Sequence, residues 1–227
     1  MSQPEVESLL ELISRVCKSH PWHGVPIGAE APRIITAYIE IVPSDTLKYE
    51  LDKQTGHLKV DRPQRFSNIC PTLYGLIPRT YCGTHVASLC ASRTGKVDVV
   101  GDDDPLDICI LAEKTITHGD VLLEARPIGG LRMIDGDEAD DKIIAVMKGD
   151  VVYEDWTEIE HCPAALIERL KHYFLTYKDI PGSGHRNCEI AEVYGREEAY
   201  DVIRRSQEDY ALQYPSVDSL LAAPVHS

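Results

Sequence analysis

The chain has 227 residues, 43% of them hydrophobic and 26% charged, which is typical of a globular protein of one domain, or of one domain with additions. Its formal net charge of −14 argues against a general binder of nucleic acid or of membrane surfaces, because both partners require a basic face. No apolar run approaches the roughly 20 residues that cross a bilayer, and the acidic residues near the start argue against a secretory signal.

An amphipathic helix is predicted first, over residues 4–19, because apolar residues recur there at every third or fourth position. Residues 20–32 are rich in proline and glycine and are predicted to form a linker, so we expect the main domain to span residues 33–215. Strands are predicted where short apolar runs lie between turn residues, at 34–42, 47–52, 57–62, 96–100, 106–111, 120–129, 130–135 and 142–147.

Short strands at this spacing favour a closed or partly closed β-barrel over alternating β and α units. Two helices are predicted after the strands, over residues 163–177 and 196–211. The last residues, 216–227, are predicted to be a tail that is loose or docks on a neighbour. The predicted fold class is therefore mainly β with peripheral helices, an α+β protein.

The seven cysteines are odd in number and follow no framework spacing, which predicts reduced thiols and a cytoplasmic protein. Cys82, His85 and Cys90 could together form one corner of a zinc site, although no fourth ligand is apparent nearby. The alternative is that the thiols behave as small apolar residues of the core.

Four aspartates crowd into six positions between two apolar runs: Asp102, Asp103, Asp104 and Asp107. A run of aspartates between strands is most often a solvated turn. Two unit charges ~4 Å apart repel by about 4 kcal/mol at an effective dielectric of 20, however, and a bound divalent cation relieves this repulsion. An extended backbone before Pro105 also makes Asp102 and Asp104 point the same way, so a metal-binding cluster is the functional alternative.

A second acidic turn lies further along the chain, between two apolar strands. Its charged residues are Asp135, Asp137, Glu138, Asp140, Asp141 and Lys142. Acidic turns at strand ends can meet at one mouth of a barrel, where they could hold more than one Mg²⁺ ion. Neither turn fits a calcium-binding helix–loop–helix motif, because the fifth position is Leu106 in one and Ala139 in the other.

The motif DDDPLD at residues 102–107 resembles the D-x-D-P-x-D signature of the soluble family I inorganic pyrophosphatases. Further motifs that resemble this family occur in the expected order: IEI with Glu40, KYE with Lys48 and Glu50, VDR with Arg62, YG with Tyr74, D-x-x-x-x-D-x-K with Asp135, Asp140 and Lys142, and YKD with Tyr177 and Lys178. The resemblance spans residues 34–180. It implies an OB-like barrel that hydrolyses pyrophosphate to two orthophosphates, with several Mg²⁺ ions per active site, or with Mn²⁺ or another divalent ion in their place.

The resemblance also implies a role for each residue of these motifs. Metal ions would be held by four aspartates: Asp102, Asp107, Asp135 and Asp140. Asp104 would be the general base or would orient the attacking water, and Glu40 and Glu50 would line the cavity and hold water. The substrate would be bound by cationic and tyrosine side chains: Lys48, Arg62, Tyr74, Lys142, Tyr177 and Lys178. Four acidic residues match no functional position and are expected in solvated turns: Asp103, Asp137, Glu138 and Asp141.

The chain also departs from the family pattern. Residues 80–98 form a longer connection than compact bacterial members have, Leu73 stands where an asparagine is common, and the lysine–tryptophan pair common after YKD is missing. These departures concern outer contacts and assembly. The resemblance implies pyrophosphate as the partner, no nucleic acid, no membrane, and a homo-oligomer that is a hexamer or a dimer.

Two alternatives to this function stay open. The first is a non-catalytic acidic barrel that binds divalent ions or a partner protein, although such a barrel has no need of cations and tyrosines beside its aspartates. The second is a phosphohydrolase of another phosphoanhydride, such as a short polyphosphate or a nucleoside triphosphate, although the chain contains no P-loop.

Overall fold

The computed structural model describes residues 17–178 and 188–215. The helix predicted over residues 4–19 lies outside the described residues except for its last three positions, which are not helical. The tail predicted over residues 216–227 lies wholly outside them. None of the helices in the described part of the chain has the length and apolarity needed to cross a membrane.

The described residues form ten strands, three α-helices and one short 3₁₀-helix. The strands are β1 (Ile35–Ile41), β2 (Leu47–Leu51), β3 (Leu58–Pro63), β4 (Leu73–Leu76), β5 (Val100–Gly101), β6 (Asp107–Leu111), β7 (Val121–Asp135), β8 (Glu138–Ala139), β9 (Lys142–Met147) and β10 (Cys188–Gly195). The helices are α1 (Thr84–Thr94), the 3₁₀-helix (Ile159–His161), α2 (Ala164–Thr176) and α3 (Arg196–Gln213). Helix α1 therefore lies between β4 and β5, and the other two α-helices flank β10.

Five strands close into a barrel, because each is hydrogen-bonded to two neighbours in the order β1–β4–β6–β9–β7–β1. Strands β8 and β5 extend the sheet from β7, strand β10 pairs with the second half of β7, and β2 and β3 form a separate hairpin. The predicted class, mainly β with a barrel core and peripheral helices, is confirmed.

Strand β7 is one strand of 15 residues, so the prediction of two strands at 120–129 and 130–135 is wrong. Glycines at 129 and 130 suggested a break, because glycine is common in turns. In the structure these glycines let strand β10 come close. A Cβ atom on Gly129 would lie 2.4 Å from the Tyr194 carbonyl oxygen, and a Cβ atom on Gly130 would lie 2.5 Å from the Tyr194 ring.

The sequence pattern does not predict helix α1, and it predicts a strand over residues 96–100 of which only the last residue belongs to β5. The first amides of α1 are capped by Asp209 of helix α3, whose buried carboxylate accepts hydrogen bonds from the backbone N–H groups of Gly83 and Val86 at 3.0 and 3.1 Å. A cap that comes from so distant a residue leaves no local signal for the start of the helix.

Helix α2 covers one side of the barrel and brings aromatic residues to its mouth. Leu170 and Phe174 are buried in one apolar cluster with Leu131 of strand β7. Both predicted helices, over 163–177 and 196–211, are confirmed as α2 and α3.

Residues 20–32 contain no helix or strand, as expected of a linker, but they pack against the barrel. Trp22 is 2% exposed, and its ring lies in an apolar cluster with Tyr38. Its indole Nε1 donates a hydrogen bond of 2.7 Å to the Thr80 carbonyl. A buried indole with a satisfied N–H holds the segment on the barrel surface. The domain boundary near residue 33 stays a prediction.

Replacing Trp22 by alanine is expected to lower the free energy of unfolding by about 3–5 kcal/mol, because it removes a buried ring and leaves a cavity. Urea unfolding followed by far-ultraviolet circular dichroism measures this difference. Leu212→Ala is the control, because this side chain is 73% exposed and its loss should cost less than about 0.5 kcal/mol. A cost for Trp22→Ala as small as that of the control would show that this contact does not hold the segment.

Candidate active site

The two acidic turns meet at one mouth of the barrel. Strands β6 and β9 are parallel neighbours, and their register places Asp107 opposite Lys142. Asp102 precedes the first of these strands, and Asp140 precedes the second. Because the starts of parallel neighbours lie at the same edge of a sheet, the segment before β6 comes together with the turn before β9.

Most of the predicted site residues line one cleft: Lys48, Tyr74, Asp102, Asp104, Asp107, Asp135, Asp140, Lys142, Tyr177 and Lys178. An adjoining recess shares Lys48, Tyr74, Asp104 and Asp107 with the cleft and adds Glu40 and Glu50. Arg62 lines neither space, but its guanidinium lies 5.7 Å from the centre of the Tyr177 ring. The structure therefore gathers all the predicted residues in or beside one mouth of the barrel.

Burial and like charge raise the pKa values of two carboxyls in this cavity. Burial and then the neighbouring Asp140 raise the pKa of Asp102 to about 9. Burial and then Asp107 raise the pKa of Glu40 to about 8, although the backbone N–H of Leu51 donates a hydrogen bond to Glu40 Oε1 at 2.7 Å. Burial is the larger cause of both shifts, and repulsion by a neighbouring carboxylate adds to it.

Lys142 compensates part of this negative charge. Its side chain is buried, and its ammonium contacts the carboxylates of both Asp107 and Asp140. Burial acts to lower the pKa of Lys142, but the two aspartates outweigh burial and raise that pKa well above its usual value. A permanent positive charge therefore lies between two carboxylates that the motif resemblance assigns to metal ions.

Tyr74 contacts the Asp107 carboxylate at the same oxygen as Lys142 does. Its phenol donates a hydrogen bond of 2.5 Å to Asp107 Oδ2, and its ring is tilted against Phe174 with the ring centres 5.9 Å apart. Burial, followed by the charge of Asp107, raises the pKa of Tyr74 well above its usual value. The phenol therefore stays protonated and acts as a donor.

Asp135 is oriented by two neighbours. The Lys178 ammonium contacts Oδ2, and the Cys188 thiol donates to Oδ1 at 3.3 Å. Burial acts to raise the pKa of Asp135, but Lys178 outweighs burial and lowers it. Burial and then Asp135 raise the pKa of Cys188 to about 12, so the thiol keeps its proton. No sequence signal marked the Cys188 contact, because the pattern does not predict strand β10, which places Cys188 opposite Asp135.

The donors in the cleft suit a hard divalent cation. Asp102, Asp107 and Asp140 present carboxylate oxygens, which Mg²⁺ prefers as ligands. Burial, followed by the negative charge of Asp140, raises the pKa of Asp102, and a bound divalent cation would offset that negative charge. Within residues 17–178 and 188–215, no three acidic, cysteine or histidine side chains are grouped closely enough to hold a metal as they stand. The residues fit a divalent metal by the chemistry of their oxygens and by their unbalanced charge.

Three of the four acidic residues expected in solvated turns are exposed: Asp103, Asp137 and Glu138. Glu138 nevertheless lines the cleft. The expectation is wrong for Asp141, which is 2% exposed. Its neighbours Asp140 and Lys142 face the cleft, and successive side chains of extended backbone point to opposite faces, so Asp141 lies in the interior behind them.

Sequence reasoning missed two charged residues near the cleft. Lys53, in the turn between β2 and β3, contacts the Asp104 carboxylate. Asp61 pairs with the Lys48 ammonium at 2.9 Å. Asp61 had a signal, because it belongs to the VDR motif, whereas Lys53 lies in a hairpin turn where a lysine is usually a solvated charge.

The zinc corner considered from the sequence is not formed. Cys82 and Cys90 are buried in the apolar core, and His85 Nδ1 lies 2.6 Å from Asp209 Oδ1. All seven cysteines are free thiols, and six of them are buried. Cys82 and Cys90 therefore act as small apolar side chains of the core.

Comparison with known proteins identifies the family. The sequence matches the family model described as inorganic pyrophosphatase over residues 37–211. The inorganic pyrophosphatase of Chlamydia trachomatis is 50% identical over 196 residues, which cover 85% of this chain and 94% of the relative. The soluble inorganic pyrophosphatase 3 of Arabidopsis thaliana is 35% identical over 206 residues, which cover 90% of this chain and 85% of the relative.

A solved structure agrees with these sequence matches. The inorganic pyrophosphatase from Thermus thermophilus superimposes with a TM-score of 0.70 at 26% identity, over 85% of this chain and 99% of that chain. The resemblance inferred from the motifs is confirmed by both kinds of comparison. The chain belongs to the inorganic pyrophosphatase family.

Proposed function

We propose that this protein hydrolyses inorganic pyrophosphate to two orthophosphates with Mg²⁺ as its cofactor. As a member of the inorganic pyrophosphatase family it is a phosphoanhydride hydrolase, and the family implies a divalent metal. The observation that supports the proposal most is the meeting of two acidic turns with lysines and tyrosines in one cleft. Carboxylate oxygens as the acidic donors favour Mg²⁺ as the metal.

We propose that the metal ions are held by four aspartates: Asp102, Asp107, Asp135 and Asp140. When bound, divalent cations neutralise phosphate oxygens and lower the pKa of water from 15.7 toward about 7. A protein with a net charge of −14 can then bind an anionic substrate, because its acidic residues bind cations first. Glu40 and Glu50 line the adjoining recess, and we propose that they hold water there.

We propose Asp104 as the general base. Its carboxylate lines both the cleft and the recess, and its side chain is 40% exposed, so water reaches it. It would take a proton from the attacking water while the water oxygen bonds to phosphorus and the bridging P–O bond breaks. The electron pair of that bond leaves with the departing phosphate.

The phosphate groups are proposed to be bound by cationic and phenolic side chains: Lys48, Arg62, Tyr74, Lys142, Tyr177 and Lys178. The Tyr177 ring contacts two of these cations. The Arg62 guanidinium and the Lys178 ammonium lie 5.7 and 5.3 Å from the centre of the ring. Phosphoryl transfer depends mainly on positioning and electrostatic stabilisation. These cations can take up the charge that develops on the departing phosphate.

Phosphate release with Mg²⁺, measured on pyrophosphate, tripolyphosphate and ATP, tests this function. We expect the highest kcat/KM with pyrophosphate, because cations beside a compact acidic cleft match two linked phosphates. A higher value with tripolyphosphate or ATP would favour a hydrolase of another phosphoanhydride. Metal binding without release from any of the three would favour the non-catalytic barrel.

The cellular location and the oligomeric state of the protein are further proposals. Free thiols suit a reducing compartment, so a cytoplasmic location stays a prediction. A homo-oligomer, hexamer or dimer, with no nucleic-acid or membrane partner also stays a prediction. Light scattering on a size-exclusion column would give the oligomeric state directly.

A further inference from the structure

Behind the acidic wall of the cleft lies a second group of charged side chains, which the proposed chemistry does not use. Asp141 stands between Asp140 and Lys142, and it points away from the cleft that those two line. Its carboxylate faces Arg132 of strand β7, with Arg132 Nε 3.7 Å from Asp141 Oδ2. The Tyr194 phenol donates a hydrogen bond of 3.3 Å to the same oxygen.

Arg132 connects this carboxylate to two other elements. Its side chain is 0% exposed, and its guanidinium lies 4.9 Å from the centre of the Tyr194 ring. Its Nη1 donates to Glu192 of strand β10 at 2.9 Å, and its Nη2 donates to Glu198 of helix α3 at 2.8 Å. One buried cation therefore ties the segment before β9 to β7, β10 and α3.

Stability alone does not explain such a pair. Desolvation of two charges often costs more than their attraction returns, and well-packed apolar residues in their place are often neutral or stabilising. The pair is also loose, since Asp141 Oδ1 and Arg132 Nε have no hydrogen-bond partner within the described residues. A pair of this kind is more useful for fixing the position of the segment that carries it than for holding the fold together.

Asp140 and Asp141 lie between the two paired strands β8 and β9 and belong to neither. Strand β8 has only two residues, and the Asp140 N–H donates to the Met133 carbonyl at 3.0 Å before β9 begins. If Asp141 turned outward, the alternation of side chains would turn Asp140 and Lys142 away from the cleft. The contact of Asp141 with Arg132 therefore helps to set the direction of Asp140, and it acts on Lys142 together with the pairing of β9 with β6 and β7.

We propose that Arg132 and Asp141 are a positioning pair that holds the acidic turn so that Asp140 and Lys142 face the metal-binding cleft. This inference rests on the proposed function, because it takes Asp140 to be a metal ligand. Neither member of the pair lines the cleft. Outer residues that orient metal ligands typically change metal affinity about 10–100-fold when they are lost.

The test compares the variants Arg132→Met and Asp141→Asn and the double variant R132M/D141N. Arg132→Met leaves a buried carboxylate without its cation and should be the least stable. The double variant removes both charges and keeps an oxygen for the Tyr194 phenol, so it should recover part of that stability. We expect all three variants to bind Mn²⁺ about 10-fold more weakly than wild type without substrate, by calorimetry well below the unfolding temperature.

The same variants should need about 10-fold more Mg²⁺ for half-maximal phosphate release. Arg93→Met is the matched control, because Arg93 is half exposed and pairs with Glu198 at 2.7 Å without touching Asp141. It should bind Mn²⁺ as wild type does. If the pair were purely structural, the variants would differ from wild type in stability but not in Mn²⁺ affinity. If the pair positions the metal ligand, the double variant should bind Mn²⁺ weakly even though part of its stability has recovered.

Wild-type Mn²⁺ affinity in folded R132M/D141N and in Asp141→Asn would overturn the positioning role. Should Arg132→Met fail to fold, Asp141→Asn decides the matter alone, because it keeps the size of the side chain and the acceptor for Tyr194. Failure of the proposed function would look different: the wild-type protein itself would then release no phosphate from pyrophosphate or bind no Mn²⁺.

Discussion

Replacing Asp104 by asparagine is expected to lower kcat for pyrophosphate hydrolysis by about 10²–10⁴-fold, the contribution usual for a positioned general base. Asparagine has the size of aspartate but cannot take a proton from the attacking water. Because the Asp104 side chain is partly exposed at the junction of the cleft and the recess, its replacement should leave the fold intact. Initial rates of phosphate release at saturating Mg²⁺ and pyrophosphate measure the effect.

The neighbouring Asp103 provides a control from the same motif. Asp103 is exposed, lines no part of the cleft, and accepts a hydrogen bond of 2.5 Å from the Tyr81 phenol. Its backbone has φ of +60°, a conformation that asparagine adopts readily, so Asp103→Asn should keep the turn. We expect turnover close to wild type for Asp103→Asn. Equal rates for the two variants would remove Asp104 from the role of base.

Removal of divalent metal by excess EDTA is expected to reduce phosphate release to the background rate, and added Mg²⁺ should restore it. The reason is electrostatic, because the cleft gathers the carboxylates of Asp102, Asp107, Asp135 and Asp140, whose negative charge Lys142 and Lys178 offset only in part. Without divalent cations a pyrophosphate anion would meet the remaining negative charge. Phosphate release before chelation, after chelation and after readdition of Mg²⁺ measures the dependence.

A second measurement separates metal binding from turnover. A ligand that binds only the folded state stabilises it by RT ln(1 + [L]/Kd), about 2.7 kcal/mol at a hundredfold excess over Kd. Mg²⁺ should therefore raise the unfolding temperature of the substrate-free protein, whereas KCl at equal ionic strength should not. Full turnover in excess EDTA, or no thermal shift with Mg²⁺, would contradict a metal site in this cleft.

The residues of the cleft could be predicted because their motifs resemble those of a known family in residue type, spacing and order. Such spacings are local properties of the chain. Asp102 and Asp104 both line the cleft, but not through an extended backbone, because Asp103 between them has φ of +60°. Asp103 matches no functional position of the family motif, and the structure leaves it exposed as expected.

The errors have a common physical cause. Helix α1 escaped prediction because its cap is Asp209, a residue 126 positions from Gly83. Gly130 suggested a turn, whereas its lack of a side chain makes room for Tyr194 of another strand. The sequence pattern suggested that Asp141 is a solvated turn residue, whereas in the structure its side chain is buried beside Arg132. In each case the partner belongs to another element of the fold.

The sequence was sufficient to predict the barrel, the family and the residue types of the site, from its composition, its strand pattern and the order of its motifs. These predictions depend on the motif residues and on the alternation of side chains, which are both properties of short stretches of sequence. The tertiary structure alone decided which charges meet. It placed Lys142 between Asp107 and Asp140, set Cys188 against Asp135, and buried Asp141. Burial and charge pairing depend on which atoms the fold brings close, and strand pairing brings Lys142 to Asp107 and Cys188 to Asp135.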